Sequence, residues 1–373
     1  MIKVNLKKFK KALKEVEKNK MIGATDVIIT CKGDNTIEVI KNNISYEDRL
    51  NNCLKKKIEC DNPEGLELNI VLNKTTIKLI NKLKDEYIAL NNEGSIVSKS
   101  KKKITFKNNF KEDMIVSHED EIISNIEITQ SELLRVLTVD YAVSKEEDRP
   151  VLNNVCFDYD NIVAIDGYRI AKRKCSVNFN HSFMIYKDNI KILKSLLKDN
   201  DSIVKCSIEK KYIVFNIDNL EFVAYYDLDN TMIKYKNLTN IKDIINFNIK
   251  YEVGLKDLLE ISDMTKVYKE KPIMMFKHTS DNKLAVIGRS LDNKDDTLSI
   301  TFDNSYTESE ITECSDVKDI VLNDNYLCDV LKNMSSSTEK IKMYFNSPVS
   351  PMYILPDGET NFDNVDLILP IRL

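Results

Sequence analysis

The chain has 373 residues, 42% of them hydrophobic and 31% charged, with a formal net charge of −4. This length suits two or three domains better than one core. The near-balanced charge excludes a wholesale basic coat for nucleic acid but leaves room for a local basic face.

In chain order, "IKVNLKKFKKAL" from Ile2 reads as a short alternating strand running into a helix. Leu6, Phe9, Leu13 and Val16 recur at helical spacing and form its apolar stripe, with Lys7, Lys11, Lys14 and Lys18 opposite. "TDVIITCKGDNTIEVI" then reads as a β-hairpin. "NIVLNKTTIKLINKL" at 69–83 is a strand, a polar cap and a helix, whose stripe of Ile77, Ile80, Leu83 and Tyr87 lies away from a ridge of Lys74, Lys78 and Lys82. "SKSKKKITFKNN" at 98–109 reads as an edge strand guarded by lysines, with Ile104 and Phe106 on one face.

From Ile126, "IEITQSELLRVL" repeats the opening strand and helix, and the helix is expected over 131–148. "AIDGYRIA" at 164–171 places Asp-Gly between apolar runs, the pattern of a hairpin turn. "FMIYKDNIKILKSLL" at 183–197 repeats the strand, cap and helix, with Lys191, Lys194 and Lys198 on one side. "KCSIEKKYIVFNIDNLEFVAYY" and "PIMMFKHTSDNKLAVIG" are further hairpins. From Tyr251, "YEVGLKDLLEIS" gives the third strand and helix, which is expected to carry Met264, Val267 and Tyr268, and "DIVLNDNYLCDVLKN" at 319–333 the third copy of the second motif.

Two motifs thus recur three times in the same order, at offsets near 125 residues. The expectation is an α+β chain of three tandem similar domains, 1–122, 123–247 and 248–373, each with two helices packed on antiparallel sheets. Lysines on the helices admit two readings, a solvated face or a surface facing phosphates without sequence preference.

Eight cysteines (31, 53, 60, 156, 175, 206, 314 and 328) form no C-x-x-C pair, and His118, His181 and His278 lie far apart, so neither a zinc site nor a disulfide framework is expected. No phosphate-binding glycine loop and no nucleophile constellation is present, so no cofactor and no catalysis are expected. Scattered thiols, no signal-peptide pattern and no apolar run near the roughly 20 residues of a membrane span lead to the expectation of a cytoplasmic, soluble protein.

"RPVLNNVCFDYDNIVAIDGYRIAKRK" resembles the middle domain of the bacterial DNA polymerase III β subunit, the sliding clamp. That family shows an R-x-x-L-N-G run followed by A-T-D-G-H-R-L-A, and an ending of the type M-P-M-R-L, to which "LILPIRL" is similar. "IVLNDNYLCDVLKN" followed by "SPVSPMYILPDGE" resembles the helix and strand before that ending. The clear matches cover about 149–173 and 319–373. Tyr168 stands where the family commonly has His, Ile165 replaces a Thr, Ile233 stands where a Pro is usual, and the first third lacks the usual Leu-Pro-rich stretch.

The resemblance implies two subunits closing head to tail into a ring round duplex DNA, and a pocket between the second and third domains that takes short peptides ending in hydrophobic residues. Polymerase α subunit, clamp loader and other clamp-motif proteins are the implied partners. The matching pocket residues are Leu152, Ile165, Gly167, Tyr168, Arg169 and Ile170, then Asn323, Tyr326, Val349, Pro351, Leu369, Pro370, Ile371, Arg372 and Leu373. Ile165, Ile170, Leu369 and Ile371 are expected as apolar walls, and Arg169, Asn323 and Arg372 as directional polar groups. The implied DNA-facing residues are Lys7, Lys11, Lys14, Lys18, Lys78, Lys82, Lys191, Lys194 and Lys198. Ile104 and Phe106 would meet Met264, Val267 and Tyr268 at the ring-closing contact. A non-ring scaffold or accessory DNA-binding protein built on the same repeats is the alternative.

Overall fold

A computed structural model describes residues 1–18, 26–44, 51–116, 121–146, 148–227, 235, 247, 249–278, 283–293, 295–302, 319–335 and 338–372. The chain is α+β, and every strand pairing among the described residues is antiparallel. Six α-helices are described: α1 (Leu6–Lys18), α2 (Lys74–Lys82), α3 (Gln130–Val136), α4 (Lys187–Leu196), α5 (Leu255–Thr265) and α6 (Asp324–Met334).

The expected repetition is visible in these elements. Strand Ile2–Asn5 runs straight into α1, Ile122–Thr129 into α3 and Ile249–Gly254 into α5. Strands Glu67–Leu72, Ser182–Tyr186 and Ile320–Asn323 lead likewise into α2, α4 and α6. The polar step between strand and helix acts as an N-cap. Asn73 accepts from the Thr76 N–H at 2.9 Å, Thr129 from Glu132 at 3.2 Å and Asn323 from Asn325 at 3.0 Å, satisfying donors that the helix start leaves open.

The chain divides into two compact units, 1–137 with 176–230, and 138–175 with 231–373. In the first, the strands run Ile122–Thr129, Ile203–Glu209, Tyr212–Ile217, Leu220–Asp227, Asn52–Glu59, Thr36–Asn43, Val27–Lys32, Glu67–Leu72 across one sheet. A second sheet of four strands ends at Lys103–Thr105, which pairs through Ser95↔Thr105 and Ile96↔Ile104. Helix α1 buries Leu6, Phe9, Leu13 and Val16 as its spacing predicts, and α2 buries Ile77 and Ile80.

In the second unit one sheet runs Ile249–Gly254, Lys340–Phe345, Met352–Pro356, Val365–Ile368, Arg169–Lys174, Asn161–Ile165, Asn154–Asp158. A four-stranded sheet (Leu298–Phe302, Leu284–Ser290, Pro272–His278, Ile320–Asn323) completes it. The core between them and α5 and α6 gathers Tyr251, Leu258, Phe276, Leu327, Leu331 and Ile354.

Three expected helices are corrected. Helix α2 ends at Lys82, so Leu83 is its C-cap and Tyr87 opens strand Tyr87–Asn91 instead of continuing the apolar stripe. The one expected over 131–148 stops at Val136 and continues as 3-10 turns over Leu137–Ala142, where the Leu137 N–H turns back to the Arg135 and Leu133 carbonyls. Helix α5 ends at Thr265, so Val267 and Tyr268 lie in the turn behind it, bonded to the Met264 and Thr265 carbonyls. Among the described residues no helix is long and apolar enough to cross a membrane, and no three or more His, Cys, Asp or Glu residues are grouped to hold a metal ion.

Candidate functional site

The Asp166–Arg169 turn lies in the second unit. Strands Asn161–Ile165 and Arg169–Lys174 pair as a hairpin, with Ile165 opposite Ile170. The Asp166 carboxylate accepts from the Tyr168 N–H at 2.9 Å and the Arg169 N–H at 3.0 Å, an Asx-type closure of the turn. Gly167 has φ +97°, a conformation that side chains other than glycine's disfavour, and a Cβ there would meet an Arg149 guanidinium nitrogen at 3.1 Å.

Arg169 is only 4% exposed. Its Nε donates to Asp166 Oδ2 at 2.8 Å, one terminal nitrogen to Asp329 Oδ2 at 2.7 Å on α6, and the other to the Tyr141 carbonyl at 2.8 Å. The guanidinium also lies over two rings, 5.2 Å from the centroid of Tyr141 and 4.6 Å from that of Tyr326. Burial alone would lower its pKa, but the Asp329 and Asp166 carboxylates together outweigh that effect and raise it. Arg169 is therefore a tie between the turn, the 3-10 segment and α6, and the expectation that it displays a directional polar group is corrected.

Tyr168, 52% exposed, stacks on Tyr326 with ring centroids 6.1 Å apart and 24° between planes. The Tyr168 carbonyl accepts from the Leu369 N–H at 2.8 Å, and the Val321 carbonyl from the Ile371 N–H at 2.7 Å. Leu369 and Ile371 thereby anchor the closing segment on both the hairpin and strand Ile320–Asn323. Leu369, Val349 and Arg372 are exposed, and Leu152, Pro351, Pro370, Ile371 and Tyr326 half-buried.

Ile165 and Ile170 are buried, so they floor the site instead of walling it. The Asn323 side-chain oxygen accepts from the Asn325 N–H in the α6 cap, and the residue is half-buried. The structure brings together Gly167, Tyr168, Arg169, Tyr326, Leu369 and Ile371. Pro351 precedes Met352, which pairs with Ile368, whereas no hydrogen bond or ring contact joins Leu152 or Val349 to the turn among the described residues. Leu373 and Ile233 lie outside the described residues.

Beneath the turn lies a network the sequence did not suggest. Asp366 is fully buried and accepts from Arg173 at 2.8 and 3.1 Å and from the Tyr141 hydroxyl at 2.5 Å. Burial, and then the Asp366 charge, push the Tyr141 phenol well above its ordinary pKa. Asp324, the first residue of α6, is buried beside Ser262 of α5. Burial raises its carboxyl to about 6.

The lysine faces are in the first unit. Lys7, Lys11, Lys14, Lys78 and Lys82 are exposed, and the Lys18 side chain lies outside the described residues. Lys191 pairs with Asp188 at 2.8 Å, Lys194 is half-buried, and Lys198, just beyond α4, pairs with Asp218 at 2.8 Å. Ile104 is half-buried on the edge strand and Phe106 half-buried one residue beyond its end, between exposed Lys103, Thr105 and Lys107. Met264 is exposed and Val267 is 79% exposed.

Comparison with known proteins bears on the whole chain. Residues 127–226 match the family described as DNA polymerase III beta subunit, central domain. No curated protein matches the chain. Among solved structures, a putative DNA polymerase III beta subunit from Eubacterium rectale superposes with TM-score 0.79 at 16% identity, covering 100% of this chain and 99% of that one. The Bacillus subtilis sliding clamp gives 0.78 at 18% with the same coverage. A Bartonella birtlesii sliding clamp bound to griselimycin gives 0.77 at 17%, again covering 100% and 99%. Residues 127–226 therefore carry the central domain of the DNA polymerase III beta family, within a chain that is a sequence-divergent example of the sliding-clamp fold over its whole length.

Proposed function

We propose that the protein is a processivity clamp. Two copies join head to tail round duplex DNA without reading its sequence, and the ring tethers a replicative polymerase α subunit, the clamp loader and other clamp-motif proteins. The observation that carries this reading is the clamp fold extending over the full chain. The proposed domains are 1–122, 123–247 and 248–373.

The turn at Asp166–Arg169 with Tyr326 and the 369–372 segment is the proposed peptide pocket. An exposed aromatic face held from behind by a buried ion cluster is a preformed anchor site, which lowers the ordering cost of binding. The Bartonella birtlesii and Pseudomonas aeruginosa clamps bound to griselimycin add that clamps of this fold accept a ligand. Lys103–Thr105 would close the ring against the surface around Met264 and Val267, an unlike-ends contact that closes through two-fold symmetry. The protein's part in replication is to hold, and the chemistry belongs to the tethered polymerase.

The test is topological. With a clamp loader and ATP, the protein should stay on a nicked circular duplex and be lost when the circle is cut to a linear form. Equal retention on both forms would establish a surface binder, the non-ring alternative.

A further inference from the structure

The six described helices are not equivalent in charge. Helix α1 carries six lysines against two glutamates, and α2 three lysines with no acidic residue. Helix α3 balances Glu132 with Arg135, which are paired at 2.7 Å. Helix α4 carries three lysines and Asp188. Helix α5 reverses the sign, with Lys256 against Asp257, Glu260 and Asp263, and α6 has Lys332 against Asp324 and Asp329.

Local pairing sharpens the contrast. Among the described residues, Lys7, Lys14, Lys74, Lys78 and Lys82 are exposed with no carboxylate within ion-pair distance, and the Lys11–Glu15 pair is loose at 3.9 Å. Lys191 and Lys198 are each held by an aspartate at 2.8 Å. Next to α5, Lys266 is paired with Asp263.

Helices α1 and α2 are also joined into one basic surface. Lys10 Nζ reaches across to the Asn81 and Leu83 carbonyls at 2.8 and 2.6 Å, capping the end of α2. An open groove of about 560 Å³ lies at this junction, lined by Lys10, Lys11, Lys14, Glu17 and Asn81.

We infer that the grip on DNA is uneven. The phosphate backbone of the duplex is held chiefly by the α1–α2 surface, α4 adds little, and the acidic α5 and α6 add none. The inference rests on the clamp reading above and names the part of the lysine set that acts. A lysine ammonium meets phosphate as a compact point charge, so what counts is unpaired charge at the surface and not its total. A lysine already held by an aspartate releases less from the salt atmosphere when phosphate replaces that partner.

The test is the salt dependence of binding to a fluorescently labelled duplex by the full chain, read by anisotropy. Three proteins are compared: wild type, Lys7→Gln/Lys14→Gln/Lys78→Gln/Lys82→Gln, and Lys191→Gln/Lys194→Gln/Lys198→Gln. Each lost phosphate contact lowers the slope of log K against log salt by about 0.9. The α1–α2 variant should lose about 2–4 in slope, and the α4 variant less than about 1. The substituted lysines are exposed apart from half-buried Lys194, and unchanged melting temperatures would show that both variants fold. An α4 loss equal to or larger than the α1–α2 loss overturns the inference, as does a wild-type slope in both variants, and either result leaves the clamp reading standing. A wild type that neither binds the duplex nor stays on nicked circles overturns the clamp reading as well.

Discussion

The guanidinium of Arg169 lies 4.6 Å from the ring centroid of Tyr326 and is bonded to Asp166 on one side and Asp329 on the other. One side chain thus fixes the hairpin turn to α6, and the Tyr326 ring it supports carries the exposed Tyr168. The exposed aromatic surface therefore depends on a charge buried behind it.

Removing that charge should be costly. Arg169→Ala leaves the nearly buried Asp166 without its cation, and loss of one partner of a buried pair typically costs about 3–5 kcal/mol. Urea unfolding should show a loss of this order. Arg169→Lys should not restore it, since one ammonium cannot reproduce the planar fork to two carboxylates and a carbonyl. A change below about 1 kcal/mol in either variant would contradict the tie.

Asp324 gives a pH prediction with a defined sign. Its folded pKa of about 6 exceeds the ordinary 3.8, so the folded state binds the proton more tightly than the unfolded state. Its contribution is fully present below the ordinary value and is lost as pH rises through about 6. Burial drives the shift, opposed by Ser262, Lys266 and Lys332 and reinforced by Asp263. Asp324→Asn should gain stability over wild type between mildly acidic and neutral pH, by about 2–3 kcal/mol. Parallel stability-against-pH curves would refute it.

The proposed ring-closing edge predicts an association defect. Ile104→Asp/Phe106→Asp places one charge on the edge strand at Lys103–Thr105 and one just beyond it, where pairing with another copy would bury them. Sedimentation should give monomers at concentrations where wild type is dimeric. A dimer of undiminished strength would move the interface elsewhere.

Loss of the closing segment should separate ligand binding from assembly. Deleting Leu369–Leu373 removes the Leu369 and Ile371 backbone bonds to Tyr168 and Val321. A labelled peptide of the Gln-Leu-x-Leu-Phe type should bind wild type at micromolar strength and lose at least about tenfold in affinity, about 1.4 kcal/mol, on the truncated protein. Dimerisation should persist. Equal peptide affinity in a dimeric truncated protein would place the pocket elsewhere.

How far the sequence carried the description depended on the range of the interaction. The stripes of α1 and α2 were legible because Leu6, Phe9, Leu13, Val16, Ile77 and Ile80 keep helical spacing over several turns. The end of α3 was not, because "VLTVDYAV" holds neither glycine nor proline and its apolar residues continue the pattern into the 3-10 turns. The turn at Asp166-Gly167 was legible as a turn. The ties of Arg169 were not legible because residue type shows what a side chain can donate or accept, and not which local partner already occupies it. The Tyr141, Arg173 and Asp366 network gave no local signal, since its members come together only through long-range strand pairing.

Strand Val365–Ile368 lies directly against strand Arg169–Lys174, and Arg173 and Asp366 in that pairing are 193 residues apart. During synthesis at about 5–20 residues per second, the edge of the earlier strand waits about 10–40 s for its partner. Throughout that interval Arg173 lacks its carboxylate, and an unpaired strand edge is open to other chains. The junction that ties the turn into its sheet thus leaves a strand edge open to mispairing during synthesis, so slower translation of residues 175–365 should raise the share of aggregated product.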